Sequence, residues 1–166
     1  MLRERDFEKR NLKYICERIY GFDHDERSLM VAKKNLKIIF QTLGFDSDYS
    51  DHGDVGKISI KKQDALTLIP PLSTGAAAGA TSVSGASAGV IFCNPPYGKR
   101  LDAELQQLES LYHEYGENLK KNFKNYRAYV LTGNLDLRKA IALKTTSRAV
   151  LYNGDIECRL LRYDLY

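Results

Sequence analysis

The chain has 166 residues, 43% of them hydrophobic, with 25 Lys and Arg against 21 Asp and Glu for a net charge of +4. That length suits one domain with a core of its own, and no apolar run is long enough to cross a membrane as a helix. Met1 to Tyr20 intersperse Arg, Glu, Asp and Lys among Leu, Phe and Ile, so the continuous apolar stretch of a secretory signal is missing and a cytoplasmic chain is expected.

Residues 3 to 15 are charged and helix-compatible, and Arg18 to Phe22 give a short strand signal that stops at Asp23. From Glu26 the apolar residues Leu29, Ala32, Leu36, Ile39, Phe40 and Leu43 recur at spacings of three and four, which predicts one face of a helix. Asp25 is placed to cap its start and Gly44 its end. Phe45 to Gly56 is polar and acidic, hence a loop, and Lys57 to Lys61 alternate as a half-buried strand that runs out at Gln63-Asp64. Residues 73 to 89 form a low-complexity tract of small residues that bury too little apolar surface to offset their chain entropy. A mobile surface insertion is expected there. Val90-Ile91-Phe92-Cys93 is an unbroken apolar run, as in a strand covered on both faces, and Pro95-Pro96 ends it. Leu101, Leu105, Leu108, Tyr112, Tyr115 and Leu119 then mark a long amphipathic helix, Tyr126 to Leu131 a strand, and Leu135 to Leu143 a shorter helix. Arg148 to Tyr152 and Ile156 to Leu165 read as strands joined by a hairpin at Asn153-Gly154. Strands alternating with helices and closing in an antiparallel hairpin imply an α/β sheet with helices on both faces.

Such sheets bind ligands beyond the carboxyl ends of their strands, and Asp23, Asp64 and Asn94 all fall at strand ends. Methylating an exocyclic amine requires the nitrogen lone pair, normally delocalised, to be turned toward an electrophilic methyl group. The Asn94 side-chain oxygen and the Pro95 carbonyl are acceptors for the two amine hydrogens, and Pro95-Pro96 hold the backbone so that those acceptors are already aimed. Tyr97 offers an aromatic face to a base taken out of its stack. Lys99 and Arg100 suit substrate phosphates; Lys120, Lys121, Lys124 and Arg127 either extend that contact or simply complement a helix C-terminus. Cys16, Cys93 and Cys158 are odd in number and far apart, so neither a disulfide framework nor a paired-thiol metal site is expected. His24, His52 and His113 lack metal-ligand spacing, and no metal is expected.

Asn94-Pro95-Pro96-Tyr97 resembles the substrate-amine motif of class I amino-methyltransferases. The longer string Asn94 to Leu101, the Leu-rich helix after it, and Leu151-Tyr152-Asn153-Gly154 with Cys158, Arg159 and Leu160 resemble the large-subunit ribosomal RNA guanine-N2 methyltransferases. Tyr20-Gly21-Phe22-Asp23-His24-Asp25 is similar to the second-strand motif of that family. The resemblance implies a Rossmann-like fold, S-adenosylmethionine as cofactor and ribosomal RNA as partner. It further implies that Asp23 accepts from the cofactor ribose hydroxyls, with His24 adjacent, that Asp64 receives the adenine amino group, and that Asn94 lies where cofactor and amine meet.

Families of this kind begin their cofactor fold with a strand and a Gly-rich turn, and Gly21 is the only glycine before Asp23. The expectation is therefore the later part of a catalytic domain, lacking the first strand and its turn, with weak cofactor binding and little activity by itself. Adenine-N6 or protein-glutamine methylation uses related Asn-Pro-Pro-Tyr chemistry and remains an alternative, as does a non-catalytic RNA- or protein-binding remnant of the fold.

Overall fold

The computed structural model describes residues 18–42, 58–71, 89–96 and 102–166. Gly44, most of the small-residue tract, and Tyr97, Lys99 and Arg100 lie outside the described residues. The chain divides into two compact units, residues 1–67 with 71–74, and residues 68–70 with 75–166.

In the first unit, β1 (Tyr20–Asp23), α1 (Glu26–Thr42) and β2 (Ser59–Lys62) follow in order, with β1 and β2 parallel and Asp23 opposite Lys62. The start of α1 is set by Asp25, whose carboxylate accepts from the Arg27 and Ser28 backbone N–H groups at 3.2 and 3.1 Å. Those are orphan donors of a first helical turn, and the cap satisfies them. Glu26 adds an ion pair with Lys62 at 2.7 Å, linking that turn to the end of β2. Leu29 and Phe40 are buried with Ile58 and Ile60, and Leu36 packs against them. The expected helical stripe is thus only partly covered, because Ile39 is 51% exposed and Ala32 is also exposed.

The second unit contains β3 (Gly89–Cys93), α2 (Asp102–Asn122), β4 (Tyr126–Thr132), α3 (Leu137–Ala140), β5 (Ser147–Asn153) and β6 (Ile156–Asp164). Its sheet has the order β3-β4-β6-β5, with β3 and β4 parallel and the other pairings antiparallel. Gly89, at the end of the small-residue tract by sequence, is the first residue of β3. Side chains opposite one another share a face. On one face Ala128, Val130, Thr132, Leu161 and Tyr163 are wholly buried, and Tyr112, Tyr115 and Leu119 of α2, Phe123 just after it, and Leu137 and Ile141 at α3 are buried with them. Gly116 allows this packing: a Cβ there would run into the carbonyl oxygen of Ile141.

The other face corrects an expectation. Val90 and Phe92 are 63% and 66% exposed, so β3 is not covered on both sides. An apolar run by itself does not reveal its surroundings, and the amphipathic stripe of α2 serves only the face that carries Val130 and Leu161. The hairpin is also displaced by one residue. Asn153 pairs with Ile156, so Gly154 and Asp155 form the turn, and Gly154 supplies the positive φ of 59° that a tight hairpin needs. The strands that end at Asp23 and Cys93 belong to separate sheets.

Candidate active site

In the first unit the carboxyl ends of two parallel strands open side by side, with the Gln63 N–H donating to the Asp23 carbonyl at 3.0 Å. Asp23 is the last residue of β1, its side chain 41% exposed, and its Oδ1 accepts from the Asp25 backbone N–H at 2.9 Å. His24 follows, 84% exposed, with Nδ1 3.6 Å from the same oxygen. Asp64 stands just beyond β2, where its Oδ1 accepts from the Leu66 N–H at 2.9 Å. Each carboxylate therefore has one oxygen engaged by the backbone, which orients it, and a second oxygen able to accept from an outside hydroxyl or amine. This donor-hungry pair fits the ribose and adenine ends of an adenosyl group. Asp25, by contrast, is absorbed in capping: hydrogen bonds from the Ser28 hydroxyl, then the Ser28 and Arg27 N–H groups, hold its carboxyl below the usual range.

In the second unit the chain leaves β3 directly into Asn94, which is exposed, while Pro95 is buried and Pro96 exposed. Asn94 thus presents an accessible amide next to a buried proline. Cys93, the residue before Asn94, is partly buried and carries a free thiol. Burial raises the Cys93 thiol above its ordinary value, a shift that Tyr115 partly offsets. Burial also pushes the Tyr115 phenol well up, reinforced by Cys93. Both stay neutral around neutral pH.

Beside β3, Thr132 ends β4 with a buried hydroxyl 3.2 Å from the Tyr112 hydroxyl. The same Thr132 oxygen bonds the Asn134 carbonyl at 3.1 Å and the Asn134 N–H at 3.2 Å. Asn134 Oδ1 in turn accepts from the Asp136 N–H at 3.0 Å. Sequence reasoning missed this network. Its only trace was Tyr rather than Leu at two successive positions of the α2 stripe, since a buried phenol needs a partner.

The lysines stand elsewhere. Lys120 and Lys121 lie in the last turn of α2 and Lys124 precedes β4, at the end of this sheet where Gly89 pairs with Tyr126, opposite to Asn94. Lys120 is also paired with Glu117 at 2.6 Å. Such exposed pairs stabilise little, and the placement favours the helix-terminus role. His113 is exposed on the rim of an open groove between α2 and α3. No helix among the described residues is long and apolar enough to cross a membrane.

Residues 62–162 match the family model of the RMKL-like methyltransferase domain. The chain is 32% identical over 145 residues to the Ribosomal RNA large subunit methyltransferase K/L of Syntrophotalea carbinolica, covering 87% of this chain and 17% of that protein. To the protein of the same name from Shewanella baltica (strain OS185) it is 30% identical over 152 residues, covering 91% of this chain and 18% of that protein. The chain thus spans less than a fifth of the length of these two curated relatives. Among solved structures, SMU.472 in complex with SAH aligns at a TM-score of 0.62 with 23% identity over 89% of this chain and 32% of that one. A possible methylase from Clostridium difficile 630 aligns at 0.63 with 26% identity over 90% of this chain and 32% of that one. These likenesses agree with the Rossmann-like α/β order of elements described above, and the match over residues 62–162 shows that the chain belongs to the RMKL-like methyltransferase domain family.

Proposed function

We propose that this chain carries the substrate-amine site of an S-adenosylmethionine-dependent RNA methyltransferase, with guanine N2 in large-subunit ribosomal RNA as the target. The observation that carries the reading is Asn94: an exposed amide at the carboxyl end of a strand, followed by a buried proline, in a family of methyltransferase domains. The relatives named for the large ribosomal subunit RNA support the substrate class. A cytoplasmic setting, where ribosomal RNA is made and modified in bacteria, goes with it.

When bound, S-adenosylmethionine supplies an electrophilic methyl group on a sulfonium. The unengaged oxygens of Asp23 and Asp64 would hold its adenosyl part, with His24 next to Asp23 in the chain. At the other partner, Asn94 Oδ1 and the Pro95 carbonyl each accept one hydrogen of the exocyclic amine, which draws the nitrogen lone pair out of conjugation and aims it. Tyr97 stacks on the extruded base, and Lys99 and Arg100 meet its flanking phosphates. No strong base is needed before transfer, because the methylated nitrogen becomes acidic and its proton then leaves through the same acceptors.

The test is transfer of labelled methyl groups from S-adenosylmethionine, at millimolar concentration, to an unmodified large-subunit ribosomal RNA transcript, followed by nucleoside analysis. N2-methylguanosine is the expected product, and its loss in Asn94→Ala assigns it to this site. N6-methyladenosine instead would move the target to adenine. Absence of label in RNA, with calorimetry showing that the cofactor binds, would leave only a non-catalytic role.

A further inference from the structure

We propose that Asn134, at the carboxyl end of β4, is the second contact to the target base, its side-chain NH2 donating to ring nitrogen N3 of the guanine whose N2 amine Asn94 receives. This rests on the role given to Asn94 above. In the parallel pairing of β3 with β4, Cys93 stands opposite Val130, so Asn94 leaves the sheet beside the strand that ends at Thr132, just before Gly133 and Asn134. β4 is the neighbour of β3 in this sheet, and neighbouring strands lie about 4.8 Å apart. The two amides therefore stand at one edge of one sheet, beyond the carboxyl ends of adjacent parallel strands, where open α/β sheets take their ligands. Asn94 is exposed and Asn134 half-buried, so a ligand at that edge can reach both.

The backbone of Asn134 is anchored on the last residue of β4. Its N–H donates to Thr132 Oγ1 at 3.2 Å, and its carbonyl accepts from the same hydroxyl at 3.1 Å. A threonine hydroxyl has one proton to give, so the Tyr112 hydroxyl, 3.2 Å away, is the donor in the third bond there. The side chain is pinned as well. Asn134 Oδ1 accepts from the Asp136 N–H at 3.0 Å and, more distantly, from the Leu137 N–H at 3.5 Å. Only the oxygen of an amide accepts, so these bonds fix which way the group is turned. Nδ2 is left on the other branch with two donors that no group among the described residues takes up. A half-buried donor held in this way favours a ligand that brings an acceptor, because a donor left unpaired against a desolvated base is unfavourable. Guanine brings one. Its N3 is bonded to the carbon that carries N2, so a base whose amine is held by Asn94 still offers N3 to a donor on the neighbouring strand. The amine contact alone lets the base turn in its own plane about N2. A second contact stops that turn and keeps the nitrogen lone pair aimed.

The test uses the full 166-residue chain, its Asn134→Asp variant, and two nucleotides: guanosine 5′-monophosphate and the 3-deaza analogue in which C–H replaces N3. Asn134→Asp keeps an oxygen for the Asp136 N–H and removes the NH2. The first readout is the side-chain NH2 resonances of Asn94 and Asn134, each assigned by its loss in the corresponding Asp variant. With guanosine 5′-monophosphate at millimolar concentration both should shift, and with the analogue only that of Asn94 should. A moving Asn94 signal beside an unmoved Asn134 signal, or equal Asn134 shifts with both nucleotides, would overturn the proposal and leave the reading of Asn94 standing. No movement of either signal would bring down both. The second readout is single-turnover methyl transfer, at saturating cofactor, to a synthetic RNA carrying the guanosine that the wild type methylates, or 3-deazaguanosine in its place. Removing N3 should slow the wild type roughly tenfold, Asn134→Asp should slow transfer to the ordinary RNA by a similar factor, and the two changes together should cost no more than either alone. Losses that multiply would show that Asn134 does not meet N3. If the wild-type chain transfers no methyl group, the proposed function fails by its own test, and the two resonances alone decide whether Asn134 meets guanine at N3.

Discussion

Among the described residues, the core of the β1–α1–β2 unit consists of Leu29, Phe40, Ile58 and Ile60, each still 7–9% exposed, whereas Ala128, Val130, Leu137, Ile141, Leu161 and Tyr163 of the second unit are at 0%. In the first unit Met30, Val31, Ile38 and Ile39 of α1 are 50–66% exposed. Asp23 and Asp64, the proposed cofactor acceptors, thus stand on a two-stranded sheet that is lightly packed among the described residues. Asn94, by contrast, stands on a four-stranded sheet with one face sealed by α2 and α3. On the proposed roles, holding a flexible adenosyl group by its hydroxyls tolerates such looseness, but turning one nitrogen lone pair toward a carbon does not, and the more demanding geometry would fall to the better packed unit.

The sharpest way to test that division is kinetic. Asn94→Ala should lower the single-turnover rate about 100- to 1000-fold while the affinity for S-adenosylmethionine, read by calorimetry, stays nearly level. Asp23→Asn should do the reverse, weakening cofactor affinity about 10- to 100-fold with the rate at saturation preserved. Equal losses in both quantities for either variant would erase the distinction between the two units.

Next comes stability. Leu161→Ala removes a wholly buried side chain and should cost about 3 kcal/mol in chemical denaturation, against about 2 kcal/mol or less for Leu29→Ala, whose surroundings can close more easily over the gap. Similar values would mean that the first unit is packed better than its residual exposure implies. A smaller effect is expected at Gly116. Ala is the better helix former by about 1 kcal/mol, yet Gly116→Ala should still lower the melting temperature, because its methyl group meets the Ile141 backbone, and such overpacking costs about 1–3 kcal/mol. A raised melting temperature would show that α2 and α3 can separate without loss.

The smallest effect concerns pH and belongs to the first unit. The Asp25 carboxyl is held below its ordinary value of 3.8 by its bonds to Ser28 and Arg27, so the cap is fully present above that value and is lost as the pH falls through the lower folded one. Helicity of α1, followed by amide resonances in acid, should fray from Glu26 inward as Asp25 protonates, and Asp25→Asn should remove that dependence while keeping a cap. Fraying that persists unchanged in Asp25→Asn would place the acid sensitivity elsewhere.

The sequence by itself determined the elements whose cause is local. Asp25 caps α1 because its carboxylate reaches donors two and three residues ahead, and the spacing of Tyr112, Tyr115 and Leu119 makes α2 amphipathic whatever it meets. Asn94 was legible because two prolines after an apolar run end a strand in any context. Only the tertiary structure decided what is non-local. It left Val90 and Phe92 exposed, because covering a face depends on which helices arrive there and not on the strand's own residues. It likewise shifted the hairpin to Gly154-Asp155 through the pairing of Asn153 with Ile156. The bond between the Tyr112 and Thr132 hydroxyls spans some twenty residues of sequence and exists only once α2 has folded onto the sheet. Periodicity names the buried face of a helix, but the partner of a buried hydroxyl is fixed by packing alone.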